Sequence, residues 1–546
     1  VVVPHDAAAL AGTARRVSES RRVLSIASGT LASRITGLLR VLVLAYVLGF
    51  SPLADAFNLA NTVPNMLFDL VLGGIASATF IPVFVERLAV DGERHAWKSI
   101  SSVVTVALVL LGFASVLAWI LAPYLIDGFT ALGHSAPSAH HDVTTQLATQ
   151  RAVATSLLRW FVPQIFFYGL IAVSSSLLNV RHKFGAPAWV PMANNAVCIA
   201  VLFWFHLVDP TPTLASVNHT TNLATLGLAT SAGVLLQALL LVPSMARADL
   251  WRLSFRFDLR DVAVRAVARL GAWTLAIVVA NQIALYVVLA FAFGSSSHAP
   301  ISAYTYGWSF MQMPYAVVVV SVLSAMTPQL AALATAKDHR GFSQRLGLGL
   351  RQSLLIIIPL SAVLVILAQP IVALALNHAN GAHSLPAGTV LAVLAAGLPG
   401  FTVFQVAIRA MQARQRARDA FWLYLLQNSL NIALALVMGR HSLGALTATV
   451  SISYSVAAIV ALVVLARQKV TLMDTLLSEP IARSLFAAVM SAIAMAVFYN
   501  LNGWVSGVGL AARFTLSGIG GLVVYGGLMA FVHRRRRASM QRARRQ

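Results

Sequence analysis

Continuous apolar runs, each at least as long as a bilayer is thick, occupy most of the chain. They fall at residues 24–49, 55–85, 99–126, 152–180, 186–208, 222–246, 262–293, 300–334, 346–376, 386–412, 420–440, 442–466, 481–503 and 507–532. An α-helix needs about 20 predominantly apolar residues to cross the hydrocarbon core. The pattern therefore predicts an all-α polytopic membrane protein with fourteen transmembrane helices, numbered here in chain order. A membrane β-barrel would alternate apolar and polar residues. Stretches such as Val103 to Leu121 and Leu354 to Leu367 do not.

Composition narrows the class further. Of the 546 residues, 58% are hydrophobic and 10% charged, and the mean hydropathy is +0.79. Soluble domains are about 45–50% apolar and about 25% charged, so a soluble enzyme, a disordered chain and a fibrous repeat are excluded. The one cysteine, Cys198, sits in an apolar run and reads as packing. No HExxH, P-loop or GxSxG pattern is present, and a transporter is expected in preference to an enzyme.

The net charge of +22 acquires meaning from its placement. With the N-terminus in the cytoplasm and the helices alternating, 33 of the 39 Lys and Arg fall in cytoplasmic segments. That asymmetry is the positive-inside rule, and it puts both termini in the cytoplasm. Residues 1–23 hold four arginines and no apolar run, and are expected to form a cytoplasmic tail. The chain opens on Val1 rather than Met, as a piece of a longer polypeptide would. The basic tail 533–546 and the loop from Arg252 to Arg269 are expected to meet anionic phospholipids. Nucleic acid is not an expected partner.

An internal repeat organises the spans. Helix 2 carries Pro64 and Pro82, and helix 8 carries Pro314 and Pro328. Ile120-Leu121-Ala122-Pro123 in helix 3 is answered by Ile366-Leu367-Ala368-Gln369-Pro370 in helix 9, and Pro163 in helix 4 by Pro399 in helix 10. Six helices per unit is an even number, so both copies enter the membrane the same way up. Parallel repeats of this kind hold substrate between their halves. The expected division is a first lobe at 24–246, a second at 247–467 and helices 13 and 14 at 468–532, around a central cavity.

Polar residues inside the spans locate the candidate site. Thr30, Ser33, Arg34, Gly37 and Arg40 share one face of helix 1, within about 120° at 100° per residue. An arginine at mid-membrane costs about 2.5–3.5 kcal/mol on insertion scales. A structural ion pair, snorkelling or the cationic wall of a hydrated cavity could each account for the pair. Asp55, Asn58, Asn61, Thr62, Asn65 and Asp69 form a second stripe on helix 2. Pro64 and Gly73-Gly74 interrupt that helix, and broken helices are tolerated where they line a cavity. Asp55 or Asp69 could pair with an arginine. Asn194 and Asn195 in helix 5 could line the cavity or bond between helices, and the bond is the preferred reading. Asn281, Gln427, Asn431 and Thr447 could lend oxygens to a small cation, although no carboxylate is among them. His134, His140 and His141 do not have the spacing of a helical zinc site.

The stretch from Ser33 to Arg40, with Asp55-Ala56-Phe57, Pro64-Asn65, Gly73-Gly74, Phe80-Ile81-Pro82 and Tyr304-Thr305-Tyr306, resembles the MurJ/MviN family. That family flips lipid II, the undecaprenyl-diphosphate-linked peptidoglycan precursor, and belongs to the superfamily that also exports drugs and oligosaccharide lipids. The resemblance implies lipid II as substrate, the bacterial inner membrane as location, a monomeric transporter, cell-wall synthesis proteins as partners, and a groove for the lipid tail on helices 13 and 14. It implies that Arg34 and Arg40 meet the diphosphate and that Asp55 matches the family's acidic residue at the start of helix 2; Asn58, Asn61, Asn65 and Asp69 of the helix 2 stripe, and Ser309, are expected to line the same cavity. Phe68-Asp69 and Trp308-Ser309 stand where many members carry basic residues, so the cavity is less basic here. No cofactor is implied; coupling to Na+ or H+ stays open, and the membrane potential favours outward movement of an anion by about 2.3 kcal/mol per charge per 100 mV. A cation-coupled exporter of drugs or of another oligosaccharide lipid is the alternative.

Overall fold

The computed structural model describes residues 28–73, 79–90, 92–133, 141–217, 220–250, 252–295, 297, 299–376, 384–504 and 509–543. The expected tail at 1–23, Gly74, His134 and His140 lie outside the described residues. Among the described residues the regular elements are all helices.

Thirteen of those helices are long and apolar enough to span a bilayer. They are helix 1 (Ser28–Leu48), helix 3 (Gly92–Ala131), helix 4 (Thr145–Val180), helix 5 (Gly185–Val208), helix 6 (Asn222–Arg247), helix 7 (Val262–Phe293), helix 8 (Pro300–Thr335), helix 9 (His339–Ile366), helix 10 (Leu385–Ala413), helix 11 (Ala417–Met438), helix 12 (Leu443–Arg467), helix 13 (Glu479–Leu501) and helix 14 (Leu510–Phe531). Helix 2 completes the fourteen. Among the described residues its α-helix at Pro52–Phe68 passes into a π-helical turn at Asp69–Gly73, and α-helix is present again at Ile81–Val90.

Several helices overrun their apolar stretch. Helix 3 starts at Gly92 although the apolar run begins near 99. Hydrophobicity marks the part that needs lipid, whereas backbone hydrogen bonding continues through the polar turns beyond it. The run at 346–376 is split after Ile366, and helix resumes at Ala368–Ala375. Pro370 has no N–H for the carbonyl of Ile366, four residues back, so the helix stops there.

Contacts divide the chain into two units. Unit 1 comprises Val1–Val47, Leu59–Ile126 and Asp142–Val278; unit 2 comprises Leu48–Asn58, Asp127–His141 and Val279–Gln546. In unit 1, helix 6 packs on helices 4 and 5, and Ile81–Val90 packs on helix 4. The segment after helix 6 runs extended beside helix 3: the N–H groups of Ser254 and Arg256 donate to Ser101 Oγ and Thr105 Oγ1, one helical turn apart, at 3.2 and 3.1 Å. Arg181 and Arg252 both reach Glu93, at 3.0 and 3.3 Å.

In unit 2, helix 10 is the centre and packs against helices 8, 9, 11 and 12. Its closest approach is to helix 12. A Cβ added at Gly397 would lie 2.5 Å from Ser451 Cβ, and one at Gly400 would lie 2.5 Å from Ser455 Oγ. Small residues on both helices allow this contact, the usual solution where lipid removes the hydrophobic drive for helices to associate. Helix 13 packs on helices 9 and 14.

Helix 8 shares the π-helical turn of helix 2. Its α-helical first half, Pro300–Pro314, passes into a π-helical turn at Tyr315–Val320. In both helices a proline withdraws a backbone donor, and the chain widens by one residue within the next turn or two.

Candidate functional site

Arg34 and Arg40 lie on helix 1, within unit 1. Arg34 is exposed and Arg40 half-buried. Between them, Thr36 Oγ1 donates to the carbonyl of Ala32 at 2.8 Å and accepts from Asn195 Nδ2 at 3.1 Å. Asn195 Nδ2 also lies 3.2 Å from the carbonyl of Ser33. Gly37 lies beside the same amide, and a Cβ there would meet Asn195 Nδ2 at 3.6 Å, an ordinary van der Waals contact. Asn195 therefore ties helix 5 to the arginine-bearing face, the bond between helices that the sequence pointed to.

Arg40 enters a network that the sequence did not reveal. Its side chain reaches the buried Cys198 thiol, which also lies 3.6 Å from Asn194 Oδ1. Cys198 thus has polar neighbours and is not solely a packing residue. Arg40 also acts electrostatically on Tyr168 of helix 4. Asn65 hydrogen-bonds the same phenol, and Asp69 is close enough to influence it. Phe68 lies against the ring, 5.5 Å between centroids. Tyr168 Oη donates to Gln164 Oε1 at 3.3 Å; Gln164 Nε2 donates to Ser231 Oγ at 3.1 Å; and Ser231 donates to the carbonyl of Trp160 at 2.7 Å. A polar chain therefore runs through helices 1, 2, 4 and 6 of unit 1, with Tyr168 as its junction. Gln164 and Tyr168 are four residues apart inside an apolar run, and that spacing is the signal that could have found them.

The helix 2 stripe divides. Asn65 is exposed, and its Nδ2 donates back to the carbonyl of Asn61 at 2.8 Å. Asp69 opens the π turn. Asp55 and Asn58 belong instead to unit 2 and are buried. Asp55, only 2% exposed, accepts the N–H of Ser302 at 2.7 Å on Oδ1 and that of Ile301 at 3.4 Å on Oδ2. These are orphan donors of the first turn of helix 8, and a carboxylate there also complements the helix dipole. The turn needs such help because Ala299, before Pro300, is left-handed at φ 44°. Asn58 Nδ2 donates to Ser302 Oγ at 3.0 Å and reaches Tyr306 Oη at 3.5 Å. Ser309 Oγ donates to its own helix, at the carbonyl of Thr305, 2.8 Å away.

The candidate cation residues of unit 2 bond to different partners, and Gln427 Oε1 is buried with no hydrogen-bond partner among the described residues. Asn281 Oδ1 accepts from Asn428 Nδ2 at 2.7 Å. Gln427 Nε2 donates to Ser453 Oγ at 3.1 Å, and Asn431 Oδ1 accepts from Thr449 Oγ1 at 2.8 Å. Thr447 Oγ1 donates to the carbonyl of Leu443 at 2.7 Å. Two arginines that the spans left unexplained lie over aromatic rings, Arg159 over Trp119 at 5.2 Å and Arg440 over Phe291 at 5.8 Å.

Residues 44–514 match the family model described as Lipid II flippase MurJ. A probable lipid II flippase MurJ of Rhizobium meliloti (strain 1021) is 25% identical over 426 residues, 77% of this chain and 75% of the relative. The lipid II flippase MurJ of Burkholderia cenocepacia is 27% identical over 403 residues, 72% of this chain and 73% of the relative. Among solved structures, a lipid II flippase MurJ in an inward closed conformation superposes with a TM-score of 0.73 at 20% identity, covering 93% of this chain and 98% of that one. An inward-facing multidrug resistance transporter of the MATE family superposes at 0.65 and 13% identity, covering 81% and 96%. These two structural matches carry the fold.

Proposed function

Because the chain belongs to the Lipid II flippase MurJ family, we propose that it moves lipid II from the inner to the outer leaflet of the bacterial plasma membrane by alternating access. The observation that carries the reading for this chain is the placement of Arg40. It stands on the polar face of helix 1 with Arg34, and its side chain reaches the Cys198 thiol. A diphosphate carries about two negative charges, and guanidinium forks hold such oxygens by paired, charge-assisted hydrogen bonds. Asn195 bonds to the turn of helix 1 between the two arginines. Moving this anion outward runs with an inside-negative potential, so nucleotide hydrolysis is not required. A drug exporter would favour carboxylates and aromatics over two arginines, which counts against that alternative.

The test is depletion of the protein followed by measurement of lipid II accessible on the outer leaflet. Wild-type chain should restore accessibility. Failure of the wild-type chain to do so would refute the reading. The cytoplasmic placement of both termini belongs to the same proposal, and rests on the charge asymmetry. Cysteines introduced at Thr211 and Lys337 should label from outside and inside respectively; labelling of both from one side would overturn it.

A further inference from the structure

Unit 2 contains a polar pocket that the transport reading does not use. It has a volume of about 390 Å³ and is lined by Gln344 and Arg351 of helix 9 and by Asp474, Thr475 and Ser478, which precede helix 13. Ser478 Oγ is buried with no hydrogen-bond partner among the described residues. Gly347 lets the second wall come close: a Cβ there would fall 2.5 Å from Thr475 Oγ1. An apolar groove of about 460 Å³ follows along the same two helices, lined by Leu354, Ile358, Val403, Ile481 and Leu485. On helix 9 the lining runs Gln344, Leu348, Arg351, Leu354, Ile358 and Ser361. This i, i+3, i+4 ladder makes pocket and groove one continuous stripe. Among the described residues, helix 14 does not line it.

The stripe has the polarity of an amphiphile. Its polar end lies in the first turns of helix 9, beside Arg340 and Arg345, where the positive-inside rule puts the cytoplasmic headgroup region. That end holds one guanidinium and one carboxylate, a combination suited to a zwitterion and poorly suited to a diphosphate or a purely anionic head. We propose that this is a binding site for a phosphatidylethanolamine of the inner leaflet. Arg351 and the Ser478 hydroxyl take the phosphate, Asp474 takes the primary ammonium, and an acyl chain lies in the groove between helices 9, 10 and 13. The choice among headgroups follows from the charges. Phosphatidylglycerol leaves Asp474 facing a neutral glycerol, and phosphatidylcholine offers a quaternary ammonium with no N–H to donate. The site is independent of lipid II transport, so either reading can fail alone.

The experiment uses full-length protein purified in detergent and incubated with dioleoyl phosphatidylethanolamine, phosphatidylglycerol or phosphatidylcholine, with bound lipid counted by native mass spectrometry. Retention of phosphatidylethanolamine should exceed that of the other two by about tenfold, the worth of one charge-assisted hydrogen bond. Asp474→Asn should abolish that preference while retaining phosphatidylglycerol. Arg351→Gln should lower retention of both lipids, and Arg351→Lys should restore most of it. Ala492→Phe, which fills the groove, should lower retention with both charges intact. Each variant is compared at matched thermal midpoint, so that loss of binding is separated from loss of fold. Equal retention of all three lipids by the wild-type chain would overturn the proposal. So would wild-type phosphatidylethanolamine occupancy in both Asp474→Asn and Ala492→Phe.

Discussion

In unit 1 the π turn of helix 2 begins with a carboxylate, Asp69, and the residues just before it, Asn65 and Phe68, meet Tyr168. In unit 2 the π turn of helix 8 reads Tyr-Ala-Val-Val-Val-Val, and its Tyr315 packs edge-on against Phe401 with centroids 4.7 Å apart. The same backbone device thus serves two ends. One break presents polar groups to a network containing Arg40; the other is filled by apolar contacts. The remaining polar side chains follow the same division. Several of those in unit 2 close on one another in pairs, such as Asn281 with Asn428 and Asn431 with Thr449. Arg34 of unit 1 is exposed and Arg40 half-buried, each within a membrane-spanning helix. Amide pairs in a membrane contribute about 0.6 kcal/mol each, whereas each charge near mid-membrane costs several times more. Helix 1 of unit 1 thus carries two cations on one face, whereas the buried carboxylate of unit 2, Asp55, is held by the N–H groups that open helix 8.

The sharpest way to break this contrast is to remove the charge. Arg40→Ala should abolish lipid II export while the protein still reaches the membrane, and Arg40→Lys should restore it only in part, because an ammonium lacks the planar fork. Arg40→Ala combined with Asp69→Asn decides the matter. Near-normal export in the double variant would make Arg40 a structural counter-ion, and unit 1 would then resemble unit 2.

A smaller effect is expected at the phenols. Tyr168→Phe removes the junction of the network and should reduce export by about fivefold, the value of one neutral hydrogen bond of about 1 kcal/mol, with little change in expression. Tyr315→Phe in unit 2 should leave export unchanged. Equal losses at the two positions would erase the distinction between the two breaks.

Substitutions of the capping and pairing groups should appear in stability rather than transport. Asp55→Ala strips the first turn of helix 8 of its acceptor and should cost about 0.5–2 kcal/mol in an unfolding assay. Asn428→Ala should cost less, about 0.6 kcal/mol. If Asn428→Ala proved the costlier of the two, the capping account of Asp55 would be wrong.

The smallest effect lies outside the membrane. The backbone N–H of Arg260, and then the Arg256 guanidinium, hold the Asp258 carboxyl below the usual carboxylate range. The order it gives the 252–261 segment is therefore present at neutral pH and is lost as pH falls through that lowered value, below about 4. Hydrogen exchange at Ser254 and Arg256 should accelerate there. Asp258→Asn should show no such acid step; an unchanged step would assign it to another carboxylate.

How much of this was legible beforehand differs between fold and site. A bilayer demands about 20 apolar residues per crossing, so span positions were written in the chain, down to the tight turn between Met438 and Leu443. Pro64 likewise marked helix 2 as irregular, whereas the π turn after Pro314 and the split before Pro370 were not read from the sequence, since Pro123, Pro359 and Pro399 sit inside continuous helices. Helical periodicity put Arg34 and Arg40 on one face, and it grouped Asp55 with Asn65 and Asp69 just as readily. Only the tertiary structure separated them, assigning Asp55 to the start of helix 8 and Asn65 to Tyr168. Periodicity gives the side of a helix on which a group stands, whereas its partner is set by which helix packs there. The partners met here, Ser302, Tyr168 and Cys198, lie about 100 to 250 residues away along the chain.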